Sequence, residues 1–224
     1  MSLKATLAPL ELAGYLARQL THFFPDGKVH AQELATHVDV ALERLEHCFL
    51  RVRRRGYFDG TSATFDHLYT DQYAAFLWFM GNTIHKAGGD RSVATKCYAL
   101  NKALHGLDVY FEVELPSVFC FQHPVGTVIG RAKLSDYLFV YQNVNIGGSV
   151  DLDYPTLGTG VVLFNGAAVT GATSLGDNVW VGPQAQVKSG VVPSSSLVFG
   201  SGPSLITKAA TRDVREHFFE VVAA

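Results

Sequence analysis

From Leu157 onward one class of residue returns at every sixth position: Leu157, Leu163, Val169, Leu175, Val181 and Val187. Four places after each stands a small or β-branched residue: Val161, Ala167, Thr173, Val179, Ala185 and Val191. An upstream block keeps the spacing in another register, with Leu134, Val140 and Ile146 and, four places on, Leu138, Val144 and Val150. A helix repeats at 3.6 residues and a strand at 2, so neither accounts for a sustained period of six. A coil of three short strands and three sharp turns does, because each flat side takes about six residues. The recurring apolar residue points inward on every side, and stacked coils bury a continuous core that no single coil could bury alone. Glycine often follows it, at Gly158, Gly176 and Gly182, where a corner demands φ > 0 or leaves no room for a side chain. Sandwich strands would instead alternate within each strand and be joined by irregular loops. The step from Ile146 to Leu157 is not a multiple of six, so a loop over residues 149–155 interrupts the coils. Interruptions in a solenoid carry function, since the repeats do not need them.

Upstream the period becomes helical. Pro9 starts a first helix with Leu12, Leu16, Leu20 and Phe23 on one face, and Pro25-Asp26-Gly27 is a turn. A second helix carries Leu34, Val38, Ala41, Leu42, Leu45, Cys48, Phe49 and Val52. It runs into Arg51-Val52-Arg53-Arg54-Arg55-Gly56, a basic run that suits a solvated helix C-terminus. A third buries Tyr73, Phe76, Leu77, Met80 and Ile84 and ends at Ala87-Gly88-Gly89. Asp90 caps a fourth, with Val93, Cys97, Leu100 and Leu104 on one side. Residues 108–121 form an irregular first coil, and Val214, Phe218 and Val221 align in a short amphipathic end. The chain is thus α+β: an α-helical portion over 1–107, a prism of hexapeptide coils over 108–206 and a short helical tail over 207–224.

Composition adds exclusions. Hydrophobic content of 48% allows a substantial core, and a formal net charge of −2 gives no reason to expect nucleic acid as partner. No secretory apolar stretch follows Met1, and no run is long enough to span a bilayer. Cys48, Cys97 and Cys120 are odd in number and far apart, which argues against a disulfide framework or zinc site and for a reduced, cytoplasmic setting. His22, His30, His37, His47, His85, His105 and His217 read as surface or hydrogen-bonded histidines. No His-Glu-x-x-His spacing, Gly-x-Ser-x-Gly elbow or P-loop is present.

His123 stands apart, in Cys120-Phe121-Gln122-His123-Pro124-Val125-Gly126-Thr127-Val128-Ile129-Gly130, where the coils begin. His-x-x-Gly-x-Val-Ile-Gly leading into hexads resembles the serine acetyltransferases, within the hexapeptide-repeat acyltransferases. The helical front half, the run from Asp71 to Gly81, and Ile146-Gly147-Gly148 follow in the family's order, so the resemblance covers nearly the whole chain. It implies a left-handed β-helix, an exception to right-handed crossovers, assembled as a homotrimer, with trimers paired through the helical portion as the family habit. It implies acetyl-CoA as acyl donor in grooves between neighbouring prisms, a small-molecule acceptor and no metal. The family's general base falls on His123, and the aspartate fifteen places earlier, which orients it, falls on Asp108. CoA contacts fall on Gly148, Asn165, Gly182 and Pro183, with Lys208 for a CoA phosphate.

The chemistry suits these types. An imidazole of near-neutral pKa takes a hydroxyl's proton as it attacks a thioester. A carboxylate on the other ring nitrogen fixes the tautomer and stabilises the imidazolium. Backbone N–H groups near Gly147 and Gly148 would meet the oxyanion. Departures from the family lie in the acceptor site. Tyr154-Pro155 replaces a histidine-proline pair, and Asp153 replaces the arginine before it. Gln122 replaces the aspartate beside the base, and an aspartate that helps hold the amino group aligns with His67, next to Asp66. The expected acceptor is therefore a small hydroxyl or amine other than free L-serine. The alternatives are a non-catalytic trimeric scaffold and a true serine O-acetyltransferase with a divergent acceptor site. Carbonic anhydrase relatives of the same prism need three metal histidines, and only His123 lies in the coils. The chain ends Val221-Val222-Ala223-Ala224 rather than in the isoleucine of the family's partner-docking tail, so that docking is not expected.

Overall fold

The computed structural model describes residues 3–28 and 30–220. Among the described residues there are five α-helices: α1 (Pro9–Phe23), α2 (Ala31–Phe49), α3 (Thr70–Lys86), α4 (Arg91–His105) and α5 (Val214–Phe218). Pro9 occupies the first turn of α1, where its missing N–H costs nothing, and Glu11 reaches back to the Ala8 amide at 3.0 Å. Asp90 caps α4 by accepting from Ser92 N–H at 2.7 Å, and Gly106 ends it in the left-handed region at φ 62°. Helix α3 is buried on all sides from Asp71 to Ile84, packed between α2 and α4, which is why its middle, from Tyr73 to Gly81, is apolar all round. A short parallel pair, Lys4–Ala5 with Thr64–Phe65, ties the N-terminus to the loop before α3.

The coils build three parallel sheets around one core. The first contains Phe119–Phe121, Leu138–Val140, Val161–Leu163, Val179–Val181 and Ser196–Phe199. The second contains Asp108–Val109, Val128–Ile129, Asn145–Gly147, Ala168–Thr170 and Gln186–Val187. The third contains Lys133–Leu134, Thr156–Leu157, Thr173–Leu175 and Gly190–Val192. The hexad residues from Leu157 to Val187 are each no more than 2% exposed. Crowding, not positive φ, explains the glycines after them. A Cβ at Gly158 would lie 2.6 Å from the Gly176 carbonyl carbon, and one at Gly176 2.6 Å from Ser194 N.

Several expectations need correction. Val191 is 81% exposed and pairs with Ser174; Gly190 stands at the Thr173 position, and Val192, at 4%, is the inward residue beside Leu175. Leu157 pairs with Leu175 but Leu175 pairs with Val192, so this coil is one residue shorter and the inward register slips. Val150, at 96% exposure, belongs to the interrupting loop rather than the core. Phe23 and Leu104 face outward, and α4 instead buries Lys96, Asn101 and His105. The tail is not wholly helical. Ile206–Ala209 first pairs antiparallel with Ser196–Phe199, and only then does α5 form. Val214 and Phe218 of the tail are buried, while Val221 and the residues after it lie outside the described residues.

The basic run after α2 is more than a solvated helix end: Arg53 and Arg55 are exposed and Arg51 donates to the His47 carbonyl at 2.8 Å, but two of the arginines also reach the end of the chain. Arg54 lies over the rings of Phe139 at 4.9 Å and Phe218 at 5.0 Å and donates to the Tyr141 hydroxyl at 3.1 Å. Arg53 forks onto both carboxylate oxygens of Glu220, at 2.8 and 3.1 Å. Backbone bonds from Arg53 N–H to Phe218 and from Glu220 N–H to Arg51 complete the clamp. The end of the chain thus fastens the helical portion to the prism.

Candidate active site

Two edges of the prism matter. The edge from the first sheet into the second carries residues 122–127, 141–144, 164–167 and 182–185 on successive coils. The edge from the second sheet into the third carries 130–132, the loop 148–155, 171–172 and 188–189.

His123 sits on the first edge, just after Phe119–Phe121. Its φ of 51° is shared in kind with the corner residues Asn143, Asn178 and Gln184, so it reflects corner geometry. The side chain is 70% exposed. Asp71, on the first turn of α3, reaches this corner from the helical portion. Its Oδ2 accepts the His123 backbone N–H at 3.0 Å and the Gln122 amide at 3.3 Å, and lies 3.7 Å from His123 Nδ1. Gln122 Nε2 also lies 3.1 Å from His123 Nε2. A side-chain amide nitrogen only donates, so this network assigns the lone pair to His123 Nε2 and the proton to Nδ1, facing Asp71. Burial pushes the Asp71 carboxyl above the usual carboxylate range, and the His123 backbone bond and imidazole oppose that shift.

Asp108, expected to orient His123, does not do so within this chain. Its Oδ1 accepts from the Tyr98 hydroxyl at 2.9 Å and its Oδ2 from Lys102 Nζ at 2.5 Å. Among the described residues no hydrogen bond or ion pair joins it to His123. The cause is topological: Asp108 begins the second sheet, paired with Val128, beside the end of α4 that supplies Tyr98 and Lys102.

The remaining candidates separate by edge. Gln122 adjoins His123, and Asn165, Gly182 and Pro183 follow on later coils of the same edge. Gly148, Asp153 and Tyr154 stand on the other edge, and a Cβ at Gly148 would come 2.8 Å from the Tyr154 ring. The Gly147–Gly148 amides, expected at the oxyanion, are also there, so one chain alone does not bring them to His123. That loop borders a cleft of about 400 Å³ shared with Arg131 and Lys133, and exposes Leu152 at 70%. His67 and Asp66 do not touch His123. The His67 ring bonds Thr6 Oγ1 at 2.7 Å and meets Tyr15 edge-on, while Asp66 accepts from Leu68 N–H at 2.9 Å. Lys208 places its ammonium 5.9 Å from the Phe199 ring. All three cysteines are free and buried, and burial pushes the Cys48 and Cys97 thiols up to about 12, so neither is a nucleophile at neutral pH. Among the described residues no group of three or more His, Cys, Asp or Glu side chains is placed to hold a metal.

Asp71 is the residue that sequence reasoning missed as a site. An acid in a helix's first turn complements the dipole and attracts no notice. The available signal was its position as the sole charge in a run buried from Asp71 to Ile84.

No family model matches the chain. Serine acetyltransferase of Helicobacter pylori is 30% identical over 145 residues, covering 63% of this chain and 84% of the relative. The crystal structure of serine acetyltransferase from Brucella abortus in complex with coenzyme A superposes with a TM-score of 0.68 at 19% identity, covering 93% of this chain and 84% of that one. Serine acetyltransferase of Neisseria gonorrhoeae in complex with serine gives a TM-score of 0.64 at 21% identity, covering 86% and 82%. These structures share the helical front and the left-handed β-helix. The chain belongs to the serine acetyltransferase family of hexapeptide-repeat acyltransferases.

Proposed function

We propose that this chain transfers an acetyl group from acetyl-CoA directly to the hydroxyl of L-serine, with His123 as general base. The observation that carries this reading is the solvent-open imidazole of His123 on a prism edge, with a lone pair assigned to Nε2. The donor supplies a thioester carbonyl open to attack. As the acceptor hydroxyl approaches, it displaces the Gln122 amide from Nε2, which takes its proton. The imidazolium then returns that proton to the departing thiolate, so no cysteine nucleophile is needed. Three strand spacings separate the His123 corner from that of Pro183, about 14 Å along the prism. An extended thioester-bearing arm laid along Asn165, Gly182 and Pro183 would end at the imidazole.

We read the chain as a homotrimer in which this edge of one prism faces the loop edge of the next. What supports it is that His123 and the loop candidates Asp153 and Tyr154 lie on different edges of one chain. The helical portion up to residue 107 then positions the base, and the prism from 108 carries it. A reduced, cytoplasmic setting accords with three free, buried cysteines.

The relatives are serine acetyltransferases, which favours L-serine over the other acceptors expected from the sequence. Asp153 puts no cation in the loop, but Arg131 and Lys133 line the same cleft and can meet an acceptor carboxylate. Gln122, a neutral amide beside the base, favours the second reading, a different small hydroxyl acceptor. The deciding assay is release of free CoA from acetyl-CoA with L-serine and with a panel of hydroxyl and amine acceptors. Turnover with serine supports the first reading and turnover with another acceptor alone supports the second. CoA binding without turnover on any acceptor leaves a scaffold.

A further inference from the structure

We propose that Asp71 is the positioning residue for His123, a carboxylate lent by the helical portion to hold the imidazole by Nδ1 while Nε2 faces the acceptor. The assignment rests on His123 being the base. One oxygen, Oδ2, makes all three contacts, to the His123 backbone N–H, to the Gln122 amide and to the ring at Nδ1. It fixes the corner through the backbone bond, and its charge beside the ring favours the proton on Nδ1, in line with the Gln122 contact at Nε2. The 3.7 Å to Nδ1 is long for a hydrogen bond, and such bonds tighten when substrate binds. The Asp71 side chain is only 4% exposed, so it acts through the ring and not on the acceptor. The rival carboxylate, Asp108, is taken by Lys102 and Tyr98.

The charge environment points the same way. The titratable groups around Asp71 are Tyr57 and Tyr69 ahead of α3, Cys120 on the neighbouring strand, and His123. Burial raises Tyr57, Tyr69 and Cys120, which stay neutral. Arg54 acts on Tyr69 and Cys120 but is committed to Phe139, Phe218 and Tyr141. The imidazole is thus the group left to balance the Asp71 charge. When Nε2 takes the hydroxyl proton, the positive charge forms beside a carboxylate held ready for it. Asp71 stays ionised throughout, and the proton leaves on the thiolate. A buried carboxylate without a permanent cation is costly to a fold. It also accounts for Gln122: a second carboxylate there would stand within about 3.3 Å of the first.

The test uses the full chain as wild type, Asp71→Asn, Asp108→Asn and His123→Ala. Nitrogen-15 NMR of the imidazoles reads the tautomer of His123 without requiring turnover. In Asp71→Asn the Nδ1–H form loses its preference, and the two ring-nitrogen signals move toward each other. The kcat falls about 10- to 100-fold, the KM for acetyl-CoA holds, and the melting temperature does not fall, since the amide still accepts the His123 N–H. Asp108→Asn leaves the His123 ring signals where they were. The proposal is overturned if Asp71→Asn leaves the tautomer untouched, if activity is lost only in step with melting temperature, or if Asp108→Asn moves the ring signals instead. If His123→Ala kept full turnover, the base assignment would fail separately, while the NMR result would still report which carboxylate holds the ring.

Discussion

At the scale of single residues the fold keeps one histidine in water and another out of it. His123 meets solvent on the prism edge, while His105, 8% exposed, bonds Asn101 Oδ1 at 2.8 Å, and burial pulls its pKa down to about 4. An unfolded histidine titrates near 6.5. Between those values the unfolded chain binds a proton that the folded chain does not, so this contribution is whole above about pH 6.5 and is lost as pH falls toward 4. The span is worth about 3 kcal/mol at most. Urea unfolding at pH 7 and pH 4.5 checks it: His105→Gln should flatten the acid loss seen in wild type, and an equal loss in both would disprove it. The sequence placed His105 on a helix face as a surface or satisfied residue and set His123 apart from the other histidines. Only its being the lone charge in a buried run marked Asp71, and its partner lies some fifty residues later in the chain.

At the scale of elements, the hexad spacing predicted the inward side chains of the prism well. It failed where a coil lost a residue, at Val191, and where Val150 counted a loop as a side. Spacing cannot see a corner one residue shorter. The basic run after α2 was legible only in part, for another reason: its partners Phe139, Phe218 and Glu220 come from elements far along the chain. The seam they form predicts a graded response. Phe218, 2% exposed and packed at a tilt against Phe139 and Trp180, should cost about 3–4 kcal/mol as Phe218→Ala. Glu220→Ala, which breaks an exposed ion pair, should cost under about 1 kcal/mol. Equal losses in urea midpoints would show that the clamp is electrostatic rather than packed.

At the scale of the whole molecule, two halves with separate cores of meaning meet at one imidazole. The prism sets His123 on an edge, α3 brings Asp71 to it, and the end of the chain fastens the two together. The α+β class was legible from the change of period along the chain. The hand of the helix was not, since a period is silent on it; it came through resemblance, as did the trimer we propose. The account stands or falls on His123 as the base. The direct measurement is steady-state release of CoA from acetyl-CoA and L-serine by wild type and His123→Ala, with coenzyme A affinity measured alongside. The expected result is loss of about 10²- to 10⁴-fold in kcat with coenzyme A still bound. Turnover by His123→Ala at the wild-type rate would contradict it.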